Sequence, residues 1–512
     1  AQRRDLAVAG VPPREAPEVP LLPPEFAELP AEERETMLIR RHNAEKRRAE
    51  LHSEWPTFEF KLQVARNFRS AERIHFPHNV DFRGRAYPIP PHLNHIGDDV
   101  CRGLLEFAEP RPLGREGLFW LKVSLANLMG KNKLPFEERV AYVDASREWI
   151  LDVARDPLAT ANVDRWAHAD DGPWQALARC LDLAQVWTSG DEEGYLSALP
   201  VHLDGSCNGL QHYAALGRDE MGAQAVNLLP SDRPQDVYSV VLGIVKQKVE
   251  RDAKCSEEDE ESKAGRTGLM ARRLIGFNTL QRKVVKQTVM TICYGVTRIG
   301  AQKQVRNHLG DLIADKVPPQ ELSALATYLS RLVLESIDEV FEAAMKIKVW
   351  FDNVSALLNQ ADMPTSWISP IGLACAQPYK KQKKVRVHSN QQRISLNHGE
   401  TCHVQKVKQR MGFPPNFIHS LDATHMMMVA EGCQREGLTF AGVHDSFWTH
   451  ACDAPRLNRI IRSAFVELHQ QPILENLYDD LRVRLGGREP PKLPQLGSLD
   501  LSGVHDSPYV FN

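Results

Sequence analysis

The chain has 512 residues, 42% hydrophobic and 25% charged, the composition of a globular protein with room for more than one domain. Its formal net charge is −3, so any nucleic-acid surface has to come from local segregation of charge rather than from a basic balance. No run of about 18 apolar residues occurs, and the nine cysteines include no C-x-x-C pair; a membrane-crossing helix and a dithiol motif of that spacing are excluded, and reduced thiols are expected.

The first residue is alanine, with no charged-then-apolar signal behind it, so the chain is expected to be processed or cut from something longer. Residues 11–30 contain seven prolines and read as a linker or an extended strap. Residues 31–73 are charged with spaced apolar positions and predict two long exposed helices, broken at Pro56. Residues 75–92, rich in Pro, Gly, His and Arg, predict a structured loop rather than a regular element. Helices are expected over 114–187, then a short strand over 199–203. The acidic run 256–261 reads as a solvated insertion. Residues 279–310 and 320–360 are expected to be helical, 376–410 a basic hairpin, and 438–450 a strand, a tight turn and a second strand. No internal repeat is present.

Three stretches carry chemistry. In Leu203-Asp204-Gly205-Ser206-Cys207-Asn208-Gly209 a carboxylate ends a strand and two glycines permit a tight turn before a helix. Asp204 with a neighbouring free carbonyl, that of Gly205, suits a hard cation such as Mg²⁺; the competing reading is a strand-to-helix turn with Asp204 as N-cap. In the stretch Arg282 to Gly295, positions 282, 286, 290 and 294 form one slowly winding helical stripe about 18 Å long. Arg282 and Lys286 at one end suit phosphates, and Tyr294 at the other suits a sugar and base, with Gly295 letting the helix end. The competing reading is a solvated basic face. In the third, His444-Asp445-Ser446 sits at the tip of an apolar hairpin, where an aspartate is held rigidly yet exposed; the competing reading is a turn that simply favours Asp. A second His505-Asp506-Ser507 has no strand leading into it and is read as chance.

Together these stretches resemble the single-subunit, bacteriophage-type RNA polymerases of phages, mitochondria and plastids. Asp204-Gly205-Ser206 resembles the first palm motif, Arg282-x3-Lys286-x7-Tyr294-Gly295 the fingers helix, and His444-Asp445-Ser446 the second palm motif. Asp81-Phe82-Arg83-Gly84-Arg85-Ala86-Tyr87 resembles the family's loop beside template and hybrid, and Pro415-Asn416-Phe417-Ile418-His419-Ser420 the segment whose histidine lies near the incoming ribose. The motifs stand in the family's order, from about residue 60 onward, and the ending of the chain is similar to the organellar branch of plants or green algae.

The resemblance implies a mixed α+β, right-hand polymerase fold, helix-rich with a small antiparallel palm sheet. Residues 1–72 would be linker and thumb helices, 73–232 the first part of the palm, 233–419 the fingers with a specificity-like hairpin near 376–410, and 420–512 the second part of the palm. It implies a DNA-directed RNA polymerase that adds ribonucleotides to an RNA 3′ end. Asp204 and Asp445, with the Gly205 carbonyl, would hold two Mg²⁺ about 4 Å apart. Arg282 and Lys286 would grip the β- and γ-phosphates, Lys286 also serving as proton donor to the leaving group. Tyr294 and His419 would bond the ribose 2′-hydroxyl, since Gly205, Ser206 and Gly209 offer no bulky block against it; the competing reading of His419 is a core histidine bonded to backbone. Tyr238 resembles a residue facing the substrate, against the alternative of a core tyrosine. Arg83 and Arg85 would touch the template or hybrid backbone, and Lys380, Lys381, Lys383, Lys384 and Arg386 would lie on the hairpin, against the alternative of a generic basic loop tracking phosphates. The implied partners are DNA template, RNA transcript, ribonucleoside triphosphates and initiation factors; the implied compartment is the mitochondrion, with the plastid as alternative. The family usually carries more chain ahead of this region, which puts promoter recognition by this chain alone in doubt. Three rivals stand beside this reading: a DNA polymerase or primase of the same fold, an α/β-hydrolase with Cys207 as nucleophile in a G-x-C-x-G elbow, and a non-catalytic nucleic-acid-binding descendant.

Overall fold

The computed structural model describes residues 6–13, 18–170, 172–254, 263–292, 295–388 and 393–512. Helix α1 (Ala31–Phe68) runs unbroken with Pro56 inside it, where two helices were expected. A proline forfeits one i→i−4 hydrogen bond, which a long helix survives. The turns ahead of it are knitted by the ion pairs Arg41–Glu45, Lys46–Glu50 and Arg47–Glu54. The segment read as an irregular loop instead holds a two-stranded antiparallel ribbon, β1 (His78–Val80) and β2 (Ala86–Pro88), which pinches residues 81–85 into a tight loop.

Then come α2 (Asp99–Leu104), β3 (Arg111–Pro112), α3 (Gly114–Ala126), α4 (Phe136–Ala145), α5 (Arg147–Arg155), α6 (Thr160–Trp166) and α7 (Pro173–Thr188), with β4 (Leu196–Ser197) paired to β3. Strand β5 (Pro200–Asp204) leads into α8 (Asn208–Gly217) and α9 (Glu220–Ala225). Helices α10 (Val237–Ala253), α11 (Lys263–Gly276), α12 (Arg282–Ile292), α13 (Arg298–Ile313), α14 (Pro319–Val340) and α15 (Glu342–Gln360) follow. Short strands β6 (Ser366–Ile368) and β7 (Ala374–Ala376) pair, as do β8 (Lys380–His388) and β9 (Arg393–Val404), the expected basic hairpin. The long α16 (Lys406–Glu436), the hairpin β10 (Ala441–Val443) and β11 (Ser446–His450), then α17 (Ala454–Gln470) and α18 (Ile473–Arg484) complete the order. The acidic run lies outside the described residues. The fold is helix-rich mixed α+β with small antiparallel sheets, and none of the described helices is long and apolar enough to cross a membrane.

One sheet positions the site. It has the order β10-β11-β5, all antiparallel, with Ser446 opposite Asp204, Phe447 opposite Leu203 and Trp448 opposite His202. Alternation along the strands sends Val201, Leu203, Phe447 and Thr449 into the core. His202 and Trp448 stack on the other face at 3.9 Å. Residues 510–512 extend the sheet: Gly205 bridges Phe511, and the Asn512 amide donates to the Asp204 carbonyl at 3.1 Å. Phe511 is fully buried against Phe447 and His425.

Candidate active site

The β5–β11 pairing brings two aspartates from distant parts of the sequence to neighbouring backbone positions. Asp204 ends β5 opposite Ser446, and Asp445 is the residue before Ser446 in the turn. The Gly205 amide donates to the Asp445 carbonyl at 3.2 Å, so backbone bonds tie the two loops directly. Asp204 does not cap the helix after it: α8 starts from Cys207 in a left-handed conformation (φ 65°) with no side-chain cap. Asp204 is an exposed residue at the end of the strand. Burial raises the pKa of the Asp445 carboxyl, and the nearby Arg85 guanidinium opposes that rise. Gly205 packs closely: a Cβ there would lie 3.1 Å from Gln211 Oε1 and 3.2 Å from Asn208 Nδ2. Its carbonyl accepts the Cys207 amide at 2.9 Å.

A cleft of about 360 Å³ opens beside Asp204, lined by Asp204, Gly205, Tyr238, Arg282 and Lys286 among others. Helix α12 buries Val284, Val285, Thr288, Val289 and Ile292, which leaves Arg282, Lys286 and Met290 on the cleft side. The cations of the stripe front the same space as Asp204. Arg282 is held by Asp236 through Nε at 2.8 Å and Nη2 at 3.0 Å, and its guanidinium lies 4.8 Å from the Tyr238 ring centre. Lys286 is exposed to the cleft. Gly295 has φ 79°, and a Cβ there would sit 3.1 Å from the Met411 carbonyl, so the segment after α12 abuts α16. Tyr294 lies outside the described residues.

Helix α16 presents His419, Asp422 and His425 at three-residue spacing, hence on one face. His419 Nδ1 meets Arg83 Nη1 at 2.8 Å. Burial, together with Arg85 and Arg83, lowers this imidazole to about 2, so it is neutral. Asp422 takes Arg85 in a two-pronged pair, at 3.0 Å from Nε and 2.5 Å from Nη2. Arg83 in turn is clamped by Asp81, which also accepts the Arg83 and Arg85 amides. Tyr87 stands edge-on to His444 at 4.8 Å, and His444 adopts φ 58° at the hairpin tip. The loop 81–87 is thus braced between α16 and the tip that carries Asp445. Gly84 at φ 96° is required: a Cβ would be 3.0 Å from Leu373. Arg83 and Arg85 reach this place with their guanidinium groups already engaged inside the chain.

Three contributors were not singled out from the sequence. Lys133 lines the cleft and lies 3.6 Å from Asp236; Asp236 holds Arg282; Asp422 holds Arg85. Asp236 falls in a stretch that looks like an ordinary helix start, and Lys133 in a Pro-containing stretch that looks like an ordinary turn. Asp422 stands three residues after His419 on the same helix, a spacing that by itself does not single it out.

The hydrolase rival fails on geometry. Its elbow needs a parallel sheet, whereas β5 pairs antiparallel with β11. Burial also pushes the Cys207 thiol up to about 12, away from a reactive thiolate.

Comparison with known proteins agrees with this arrangement. The profile described as DNA-dependent RNA polymerase matches residues 111–492. DNA-directed RNA polymerase 2, chloroplastic/mitochondrial, of Arabidopsis thaliana is 47% identical over 472 residues, covering 92% of this chain and 46% of the relative. DNA-directed RNA polymerase 1B, mitochondrial, of Nicotiana tabacum is 45% identical over 91% of this chain and 46% of its own length. DNA-directed RNA polymerase 3, chloroplastic, of Nicotiana sylvestris is 44% identical over 90% of this chain and 46% of its own length. The chain spans about half the length of the curated relatives it matches. With the profile covering most of the chain and the relatives aligning across nine-tenths of it, this chain belongs to the DNA-dependent RNA polymerase family.

Proposed function

We propose that this chain holds the catalytic centre of a DNA-directed RNA polymerase that extends an RNA 3′ end on a DNA template. The observation that carries the reading is the β5–β11 pairing, which sets Asp445 in the turn beside Asp204, while Asp204 lines a cleft that Arg282 and Lys286 also line. The donor set suits Mg²⁺: two carboxylates with a peptide carbonyl between them are hard oxygen ligands. When bound, two Mg²⁺ would supply charge neutralisation at the attacking 3′-hydroxyl and at the departing pyrophosphate. Asp204, Asp445 and the Gly205 carbonyl would hold them.

The chain's own residues do the rest. Arg282 and Lys286 bind the β- and γ-phosphates, Arg282 as a fork and Lys286 as a point charge. Lys286 also donates a proton to the leaving pyrophosphate. Tyr238, stacked beneath Arg282, faces the substrate. The neutral His419 and Tyr294 accept or donate a hydrogen bond at the ribose 2′-hydroxyl, which favours ribonucleotides. Arg83 and Arg85 brace the loop against the hairpin tip, and phosphates of template or hybrid share their remaining donors. The basic hairpin β8–β9 serves promoter DNA, together with initiation factors. In this reading the chain forms a right hand, with thumb 1–72, palm 73–232 and 420–512, and fingers 233–419. The mitochondrion is the proposed compartment, and imaging a fluorescent fusion of the full-length protein separates it from the plastid.

The test is extension of an RNA primer annealed to a DNA template, which bypasses promoter recognition, with ribo- and deoxynucleotides in parallel. Ribonucleotide extension that Asp204→Asn and Asp445→Asn both abolish is expected. Extension that survives either change, or equal use of deoxynucleotides, overturns the reading.

A further inference from the structure

Asp236 stands at the N-cap position of α10, where an aspartate ordinarily bonds the first free amides of its own helix. Here it makes no such cap. Its carboxylate turns into the cleft instead and collects cations. Oδ2 accepts from Arg282 Nε at 2.8 Å and Oδ1 from Arg282 Nη2 at 3.0 Å. Ser239 Oγ donates to Oδ2 at 2.6 Å and fixes the carboxylate plane. Lys133 Nζ lies 3.6 Å from Oδ1. Asp236 is largely buried, with side-chain exposure of 13%, whereas Arg282 keeps 40%. The protected partner is the carboxylate, and the partner left open to the cleft is the arginine. Burial alone would raise the Asp236 carboxyl, but Arg282 and Ser239 bring it down to about 2, so it is charged at neutral pH.

The contact uses one edge of the guanidinium. An arginine has five N–H donors in a rigid planar fork. Asp236 takes Nε and one donor of Nη2, and the Tyr238 ring covers one face. The edge left for a ligand is that of Nη1, on a residue that lines the cleft with Lys286 and Asp204. A long, flexible side chain is thereby restricted along one edge and one face before any ligand arrives, which reduces the entropy lost on binding.

We propose that Asp236 is a positioning residue for Arg282: it fixes the guanidinium so that its Nη1 edge meets the triphosphate of the incoming nucleotide. This rests on the reading that Arg282 grips the triphosphate. Asp236 itself touches no reacting atom and acts through Arg282. Its loss should therefore weaken nucleotide binding more than it slows the bond-forming step.

The experiment measures KM and kcat for single-nucleotide addition on a primed template with the parent chain, Asp236→Asn, Arg282→Ala and the double variant. Asp236→Asn should raise KM about tenfold while kcat changes far less. Arg282→Ala should raise KM at least as much. The double variant should match Arg282→Ala, because a positioning group has nothing left to position. Asp236→Glu, which keeps the charge but shifts the carboxylate by one methylene, should fall between parent and Asp236→Asn, and it carries the test if the Asn variant does not fold. An unchanged or lowered KM in Asp236→Asn, with Arg282→Ala still raising it, overturns the positioning role alone and makes Asp236 a competitor of the phosphates. An Asp236→Asn effect undiminished in the Arg282→Ala background also overturns it. An unchanged KM in Arg282→Ala overturns the triphosphate reading and this inference with it.

Discussion

The two walls of the cleft are held by different kinds of bond. On the acidic wall Asp204, with Asp445 in the adjoining turn, is placed by main-chain pairing: β5 against β11, Gly205 to Asp445, and residues 510–512 along the outer side. On the cationic wall, helix α12 offers Arg282 and Lys286 from the side opposite its buried apolar face, and Arg282 is steered by side chains, Asp236 and Tyr238. A sheet register allows almost no adjustment, since a one-residue slip would turn every side chain over. A guanidinium on a long stem can settle against whatever anion arrives. Carboxylates that must share cations need the first arrangement; phosphate grips that must admit and release a substrate are served by the second.

Substitutions can break this contrast or sharpen it. The largest effect is expected for Asp445→Asn. Losing one hard oxygen donor should cut primer extension by about 10³-fold, some 4 kcal/mol of transition-state charge stabilisation, while DNA binding in a gel-shift assay stays near the parent's. Next, Phe511→Ala removes a fully buried ring beside Phe447 and His425. It should cost about 3–5 kcal/mol in urea unfolding and carry the acidic wall with it, so that extension falls along with the midpoint. A midpoint drop with extension untouched would show that the register does not depend on that edge.

Smaller still, Gly84→Ala forces a Cβ to within 3.0 Å of Leu373 at φ 96°. About 1–3 kcal/mol of destabilisation is expected, with a loss of extension if the loop 81–87 braces the hairpin tip.

The smallest effect concerns pH. His212, His425 and His469 are buried together, with His212 Nδ1 3.1 Å from His469 Nε2 and His425 Nε2 donating to the Ile461 carbonyl at 2.9 Å. Burial lowers His425 to about 4 and His469 to about 3, and holds His212 well below its usual value. An unfolded histidine titrates near 6.5, so the stability these neutral rings contribute is complete above that pH. It is lost as pH falls through the window from about 6.5 toward the folded values. His425→Gln should flatten the decline of the urea midpoint between pH 7 and pH 5, by up to about 1.4 kcal/mol per pH unit for the group removed. An unaltered slope would place the acid sensitivity elsewhere.

Much of the acidic wall could be read in the sequence, because it is built from local patterns: an apolar strand ending in Asp204, a strand–turn–strand around Asp445, each with turn-forming neighbours. The helix with Arg282 and Lys286 was equally plain from its spacing. What escaped were features set by long-range contact. Asp236 sits in Arg-Pro-Gln-Asp-Val-Tyr, which looks like a helix start, and only the fold turns its carboxylate toward Arg282. Asp422 is one more polar residue on a helix until Arg85 arrives from a loop far upstream. Pro56 promised a break that the surrounding helical turns outweigh, and β1–β2 was too short and too full of turn formers to show a period of two.

The antiparallel register between β5 and β11 joins segments separated by the whole run of helices α8 to α16. Closing so large a loop is entropically slow to reward. During refolding, α-helical signal should therefore recover well before any ability to extend a primer. Competence for chemistry would then report the completion of folding more stringently than circular dichroism does.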